Sequence, residues 1–148
     1  MKIISIGKKT GLELKNAIEG YSRRLQGQFK VEWVLMPNSP NKGDLARSDE
    51  SDVILGRLKP TDFVILLDER GENITSPALS EKLQANLDKE IVFVIGGAYG
   101  VNEALRQRAD FVWSLSKLVF PHQIVRLILI EQIYRAQTIM QGHPYHHE

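Results

Sequence analysis

The stretch Ile91 to Gly100, I-V-F-V-I-G-G-A-Y-G, decides the fold together with two that follow: W-S-L-S-K-L-V-F-P-H-Q at Trp113 to Gln123 and I-V-R-L-I-L-I-E-Q-I-Y-R-A at Ile124 to Ala136. Ile91 to Ile95 are five consecutive apolar residues, four β-branched and one aromatic. That is the composition of a parallel strand covered on both faces. Gly96, Gly97 and Gly100 then supply backbone that can turn sharply or lie flat against a ligand. The strand therefore ends in a candidate site.

Working outward, strand and helix signals alternate. Lys2 to Ile6 is a β-branched run stopped by Gly7, and Thr10 is placed to cap a helix whose apolar positions Leu14, Ala17, Ile18, Tyr21 and Leu25 recur at three and four. Val31 to Met36 predicts a strand ending at Pro37, and a loop leads to a helix over Asp44 to Leu58 with Leu45, Ile54, Leu55 and Leu58 as its inner side and a polar middle, Arg47 to Asp52. Phe63 to Leu67 is a second doubly buried strand. Ser76-Pro77 opens a helix with the stripe Leu79, Leu83 and Leu87, Asn102 caps a short helix to Arg108, Phe111 to Leu115 is a strand, and Pro121 fits the first turn of a long last helix. This alternation predicts one α/β domain over residues 1–148, a mostly parallel sheet of about five strands with flanking helices and right-handed crossovers. Ligands of such sheets sit beyond the carboxyl ends of the strands. Three of those ends carry unusual chemistry: Leu67-Asp68-Glu69, Gly96-Gly97, and Ser114 to Pro121.

Composition narrows the function classes. The 148 residues are 43% apolar, enough for one real core. The absence of cysteine excludes disulfides, thiolate metal sites and a Cys nucleophile, and fits a reducing compartment. No apolar run is long enough to span a bilayer and the first residues lack a signal-peptide pattern, so a cytoplasmic protein without a membrane partner is expected. With 19 basic and 18 acidic side chains there is no global field to attract a polyanion, which must be met by a local patch or one assembled from two subunits.

The glycine turn lacks the G-x-G-x-x-G and G-K-[ST] patterns of dinucleotide and phosphate loops, so by itself it reads equally as a tight strand-to-helix turn. The apolar pair Val119-Phe120 in a polar loop favours a ligand, because such a loop beside a glycine turn can enclose a flat aromatic group while backbone amides read its edge. His122 stands near the positive end of the last helix, where a neutral imidazole is favoured. His122 with Arg126 and Glu131 with Arg135 are pairs four apart, each open to reading as a cap or surface ion pair. The apolar residues between Ile124 and Ile133 clothe more of the helix than one sheet can cover, which predicts a two-fold subunit interface, a homodimer. The tail H-P-Y-H-H-E holds His143, His146, His147 and Glu148, types that can bind zinc, but terminal His tracts lack the ordered support of structural sites and no metal is expected. Tyr145 flanked by imidazoles is better suited to stack on an unstacked base.

Taken in order, L-L-D at Asp68, F-V-I-G-G-A-x-G at Phe93 to Gly100, S-L-S-K-x-x-F-P-H-Q at Ser114 to Gln123, R-x-x-L-x-E-Q-x-Y-R-A at Arg126 to Ala136 and the H-P-Y-H tail resemble, over essentially the whole chain, the small SPOUT-class methyltransferases that modify N3 of a pseudouridine in bacterial 23S rRNA. The resemblance implies an α/β knot (a C-terminal trefoil knot), a homodimer, S-adenosyl-L-methionine as cofactor, and 23S rRNA within the ribosome as substrate. Its cofactor contacts fall on Leu67, Gly97, Ser116, Lys117, Leu118, Val119, Phe120 and Pro121. Two departures are the short Pro37–Asp44 loop and His147, where Lys or Arg is common in the family. Methyl transfer to a ring nitrogen calls for alignment and stabilisation of a developing imide anion. On this reading Arg126 and Arg135 hold phosphate or the base's oxygens, His122 or His146 assists proton removal, Tyr145 stacks, and Glu131 orients an arginine. Val at position 97 is expected to block the pocket and leave the fold intact. A nucleotide-binding module without catalysis, or an RNA-binding protein without a cofactor, would also keep parts of the pattern; neither would methylate ribosomes, and the second has no need of Val119-Phe120.

Overall fold

The computed structural model describes residues 1–147, and Glu148 of the tail lies outside them. Five strands, β1 (Lys2–Ile6), β2 (Glu32–Met36), β3 (Phe63–Glu72), β4 (Ile91–Ile95) and β5 (Phe111–Trp113), alternate with α1 (Leu12–Ser22), α2 (Gly43–Leu55), α3 (Ser76–Gln84), α4 (Glu103–Arg108) and α5 (His122–Met140). The sheet order is β2-β1-β4-β3-β5, and every pair is parallel. The central strand β4 is buried along its whole length, and its alternation divides the core. Ile91, Phe93 and Ile95 face a cluster with Leu129, Ile130 and Ile133 of α5, whereas Val92 and Val94 face Ile54 of α2 and Leu105 of α4. A helical layer therefore covers each face, which is why the strands are apolar on both sides. Truncating Ile133, which is fully buried, to Ala costs about 2–5 kcal/mol.

Several expectations change. The α1 N-cap is Gly11, not Thr10, and no side chain caps it, because the Thr10 hydroxyl accepts from Arg126 instead. Leu45 points outward at 66% exposure, and the inner side of α2 is Ala46, Glu50, Ser51 and Ile54. The polar middle of α2 is thus its packed face, and the helix stops at Leu55. β3 runs past Leu67 to Glu72, with an irregularity that lets Glu72 pair with Trp113, while β5 stops at Trp113 instead of Leu115. At that crossing a Cβ on Gly71 would stand 2.6 Å from the Val112 carbonyl oxygen, so only glycine lets the two segments touch. Asn73 then donates to the Ser114 carbonyl oxygen at 2.7 Å and anchors the loop leading to α5.

Candidate active site

Beyond the carboxyl ends of β3, β4 and β5 lies a cleft of about 490 Å³, within the range of small-molecule sites. Leu67, Gly97, Ser116, Leu118, Val119 and Phe120 line it, as does His122. Lys117 and Pro121 belong to the same loop without lining the cleft. Local hydrogen bonds shape that loop: Ser114 Oγ donates to the Ser116 carbonyl at 2.9 Å, and Ser116 Oγ accepts from the Leu118 amide at 3.0 Å. Leu118 and Val119 are left bare at its tip, Val119 at 81% exposure. Ile95, Trp113 and Val125 complete an apolar wall that motif reading missed, since each looks like an ordinary core residue in sequence. At the rim, burial works to raise the pKa of Asp68, but hydrogen bonds from Arg70 and the charge of Arg106 outweigh it and hold it below the usual value. Asp68 therefore stays a carboxylate that ties β3 to α4.

His122 opens α5 and is half-buried in the cleft wall. Burial, then the charge of Arg126, depress its pKa, with Glu50 and a hydrogen bond to the Gly96 backbone opposing them. At neutral pH the imidazole is uncharged and able to accept a proton.

Arg126 does not project into the cleft or toward solvent. It is 2% exposed, and all five of its N–H groups are used internally. Nε donates to Ser5 Oγ at 2.9 Å, Nη1 to Thr10 Oγ1 at 2.9 Å and the Lys9 carbonyl at 3.4 Å, and Nη2 to the Ile6 and Gly7 carbonyls. The expectation that it holds phosphate is corrected, because no donor remains for a ligand. It clamps the exit of β1 to α5.

Arg135 sits nine positions further along the helix, and nine residues at 3.6 per turn place it on the opposite side. Its Nε donates to Glu131 Oε1 at 3.1 Å, its guanidinium lies 4.8 Å from the centre of the Tyr145 ring, and Nη1 is 3.3 Å from His146 Nδ1. Tyr145 donates to Glu131 Oε1 at 3.1 Å, lies 3.4 Å from the Tyr21 hydroxyl, and packs edge-on against Tyr134. Burial, the Tyr21 hydrogen bond and the Glu131 charge all raise the pKa of the phenol, so it stays a donor. Arg135, Tyr145 and His146 thus gather around Glu131, as a group apart from the cleft. His122 and Arg135 stand roughly 20 Å apart along the helix axis at 1.5 Å per residue.

Residues 1–146 match the family described as "Predicted SPOUT methyltransferase". Three similar chains each bear the name "Ribosomal RNA large subunit methyltransferase H". That of Christiangramia forsetii is 42% identical over 99% of this chain and 98% of its own length. That of Flavobacterium johnsoniae is 41% identical over 100% and 99%. The one from Gloeobacter violaceus is 37% identical over 99% and 98%.

Proposed function

Because the chain belongs to the SPOUT methyltransferase family, whose knotted α/β architecture its parallel sheet shares, we propose that it uses S-adenosylmethionine to methylate N3 of a pseudouridine in large-subunit ribosomal RNA. The observation that carries the reading is the cleft itself: one glycine turn, one apolar loop and one strand end of a single chain, with a neutral imidazole in the wall. The residues present fit the cofactor. The apolar loop from Ser116 to Phe120 suits an adenine ring, and the open backbone at Gly97 and Leu67 suits its polar edge and chain. When bound, the cofactor supplies a methyl group on a sulfonium, open to in-line displacement by a ring nitrogen.

The protein's own part is to align the base, exclude water and handle one proton. His122 accepts the N3 proton on its free ring nitrogen, and its depressed pKa keeps that nitrogen unprotonated at pH 7. Arg135, Tyr145 and His146 bind the rRNA: the guanidinium meets phosphate or the base's oxygens and the ring stacks. They lie too far along α5 to serve the cleft of their own chain, so the proposal requires a homodimer in which one tail completes the partner's cleft. Half-buried Ile124 and Ile128, with exposed Leu12 and Leu118, offer the apolar surface for such pairing.

Mass mapping of 23S rRNA after incubation of ribosomes with the protein and S-adenosylmethionine tests this directly. A single new methyl group on a pseudouridine is the expected result; unmodified rRNA under conditions where the cofactor binds refutes it. Deleting the residues after Gly142 is expected to abolish methylation while calorimetry still records cofactor binding. A truncated protein that methylates at the full rate removes the tail from the site.

A further inference from the structure

Resting on the methyltransferase reading, we propose that Glu50 of α2 is a positioning residue of the active site, its buried carboxylate bracing the glycine turn that walls the cleft. Glu50 is 6% exposed. Its Oε1 accepts from the Ser39 amide at 2.9 Å, whereas Oε2 is buried with no hydrogen-bond partner among the described residues. A desolvated carboxylate oxygen without a donor destabilises a fold, and an apolar residue here would pack without that cost.

The position of Oε2 explains Gly97. A Cβ built on Gly97 would fall 1.9 Å from Oε2, so the residue is glycine because a carboxylate presses against it from behind, and the expectation that valine there leaves the fold intact is corrected: its side chain would displace Glu50 of α2. The next residue of α2 holds the other end of the same turn: Ser51 Oγ accepts from the Asn102 amide at 2.9 Å, and Asn102 caps α4. Consecutive α2 residues thus brace the segment from Gly97 to Asn102, one wall of the cleft. The polar middle of α2, unpromising as a helix interior, becomes intelligible as the support of this turn.

Glu50 also bears on His122. The imidazole stands within the fields of two buried charges that do not touch each other: Arg126, whose acceptors are all neutral oxygens, and Glu50. Arg47, Asp68, Glu69 and Arg70 face the same cleft, and Asp68 is neutralised by Arg106 and Arg70. Burial and Arg126 weaken His122 as a base; Glu50 opposes both. A general base works best when its affinity for the proton is matched to the working pH. Burial and Arg126 keep the imidazole neutral, and Glu50 keeps it basic enough to act.

The test is kinetic. Glu50→Gln keeps size and removes charge. Removing a negative charge lowers the His122 pKa, so the acid limb of the kcat/KM profile for ribosome methylation is expected to move to lower pH. At the plateau kcat is expected to fall roughly tenfold, within the range of a weakened proton acceptor, with S-adenosylmethionine affinity changed less than about threefold, as for a group outside the cofactor contacts. Glu50→Asp, which keeps the charge but draws it back from Gly97, should keep the acid limb and lose kcat. Should Glu50→Gln not fold, Glu50→Asp decides alone, and an unchanged kcat overturns the proposal. An acid limb and kcat for Glu50→Gln equal to those of the unmutated enzyme also overturn it. In a second test Gly97→Ala weakens cofactor binding and Glu50→Ala/Gly97→Ala recovers at least part of it, because the second change removes the carboxylate that the new methyl group meets; no recovery overturns the placement of Glu50 behind Gly97. An unmutated protein that leaves rRNA unmodified would sink the methyltransferase reading, a result distinct from any of these.

Discussion

The two halves of α5 carry pairs that look alike in sequence, His122 with Arg126 and Glu131 with Arg135, and do opposite things in the structure. Arg126 is sealed in the interior with five neutral acceptors and no counter-ion among the described residues, holding β1 and the Gly7–Thr10 loop to the helix. Arg135 keeps a carboxylate partner, an aromatic face and an imidazole at the edge of the molecule. Charge identity and spacing therefore do not assign a role; the direction in which the side chain leaves the helix does. An arginine whose donors are all satisfied within the protein is structural, whereas one held ready by a half-buried ion pair can exchange that partner for phosphate.

This contrast can be broken most decisively at Arg126. Arg126→Met takes the guanidinium donors away from the Ile6 and Gly7 carbonyls and the Ser5 and Thr10 hydroxyls, and a loss on the order of 3–5 kcal/mol is expected in urea unfolding. Arg126→Lys should recover only part of it, because an ammonium has three donors and lacks the planar fork. A loss below about 1 kcal/mol, the range of ordinary surface changes, would show that the clamp contributes little. Next in size is the effect of pH. The folded-state pKa of His122 lies below its unfolded value, so the unfolded chain binds more protons in that interval and stability falls as pH drops through it. His122→Asn is expected to flatten the decline between neutral and mildly acid pH; an unchanged slope would assign it to other groups. The smallest stability effect belongs to Arg135→Ala, within about 1 kcal/mol for a partly exposed ion pair. The same change should reduce methylation by roughly two orders of magnitude, as expected for a lost charge-stabilising group. A variant that is equally stable and equally active would make the two halves of α5 functionally alike after all. The proposed dimer sharpens the comparison further: Ile128→Glu should give monomers by light scattering, with cofactor binding retained and methylation lost. Dimers persisting at micromolar concentration would place the interface elsewhere.

Much of the fold is legible in the amino-acid sequence. β4 announced itself by apolar residues at every position, which demands cover on two faces, and Asn102 caps α4 as its side-chain type suggests. The cleft was legible as three strand ends, two of them marked by glycines and by an apolar pair in a polar loop. Thr10 misled because a hydroxyl that fits a cap also fits a guanidinium, and the buried charge of Arg126 is the more demanding partner. Leu45 misled because α2 turns a polar face inward, a choice made by Gly97 and Asn102 on distant segments and invisible to any hydrophobic count.

The amino-acid pattern alone determined the alternation of strands and helices, the doubly covered sheet and the segments that border its ligand end, because burial periodicity and turn chemistry act over a few neighbouring residues. One further inference lay within its reach: nine positions on a helix are two and a half turns, so Arg126 and Arg135 had to face opposite ways. Which of them would be buried, that Glu50 would stand behind Gly97, and that Tyr145 would close on Glu131 were decided only by the tertiary structure. Each depends on residues far apart in the chain competing for the same space and the same hydrogen bonds.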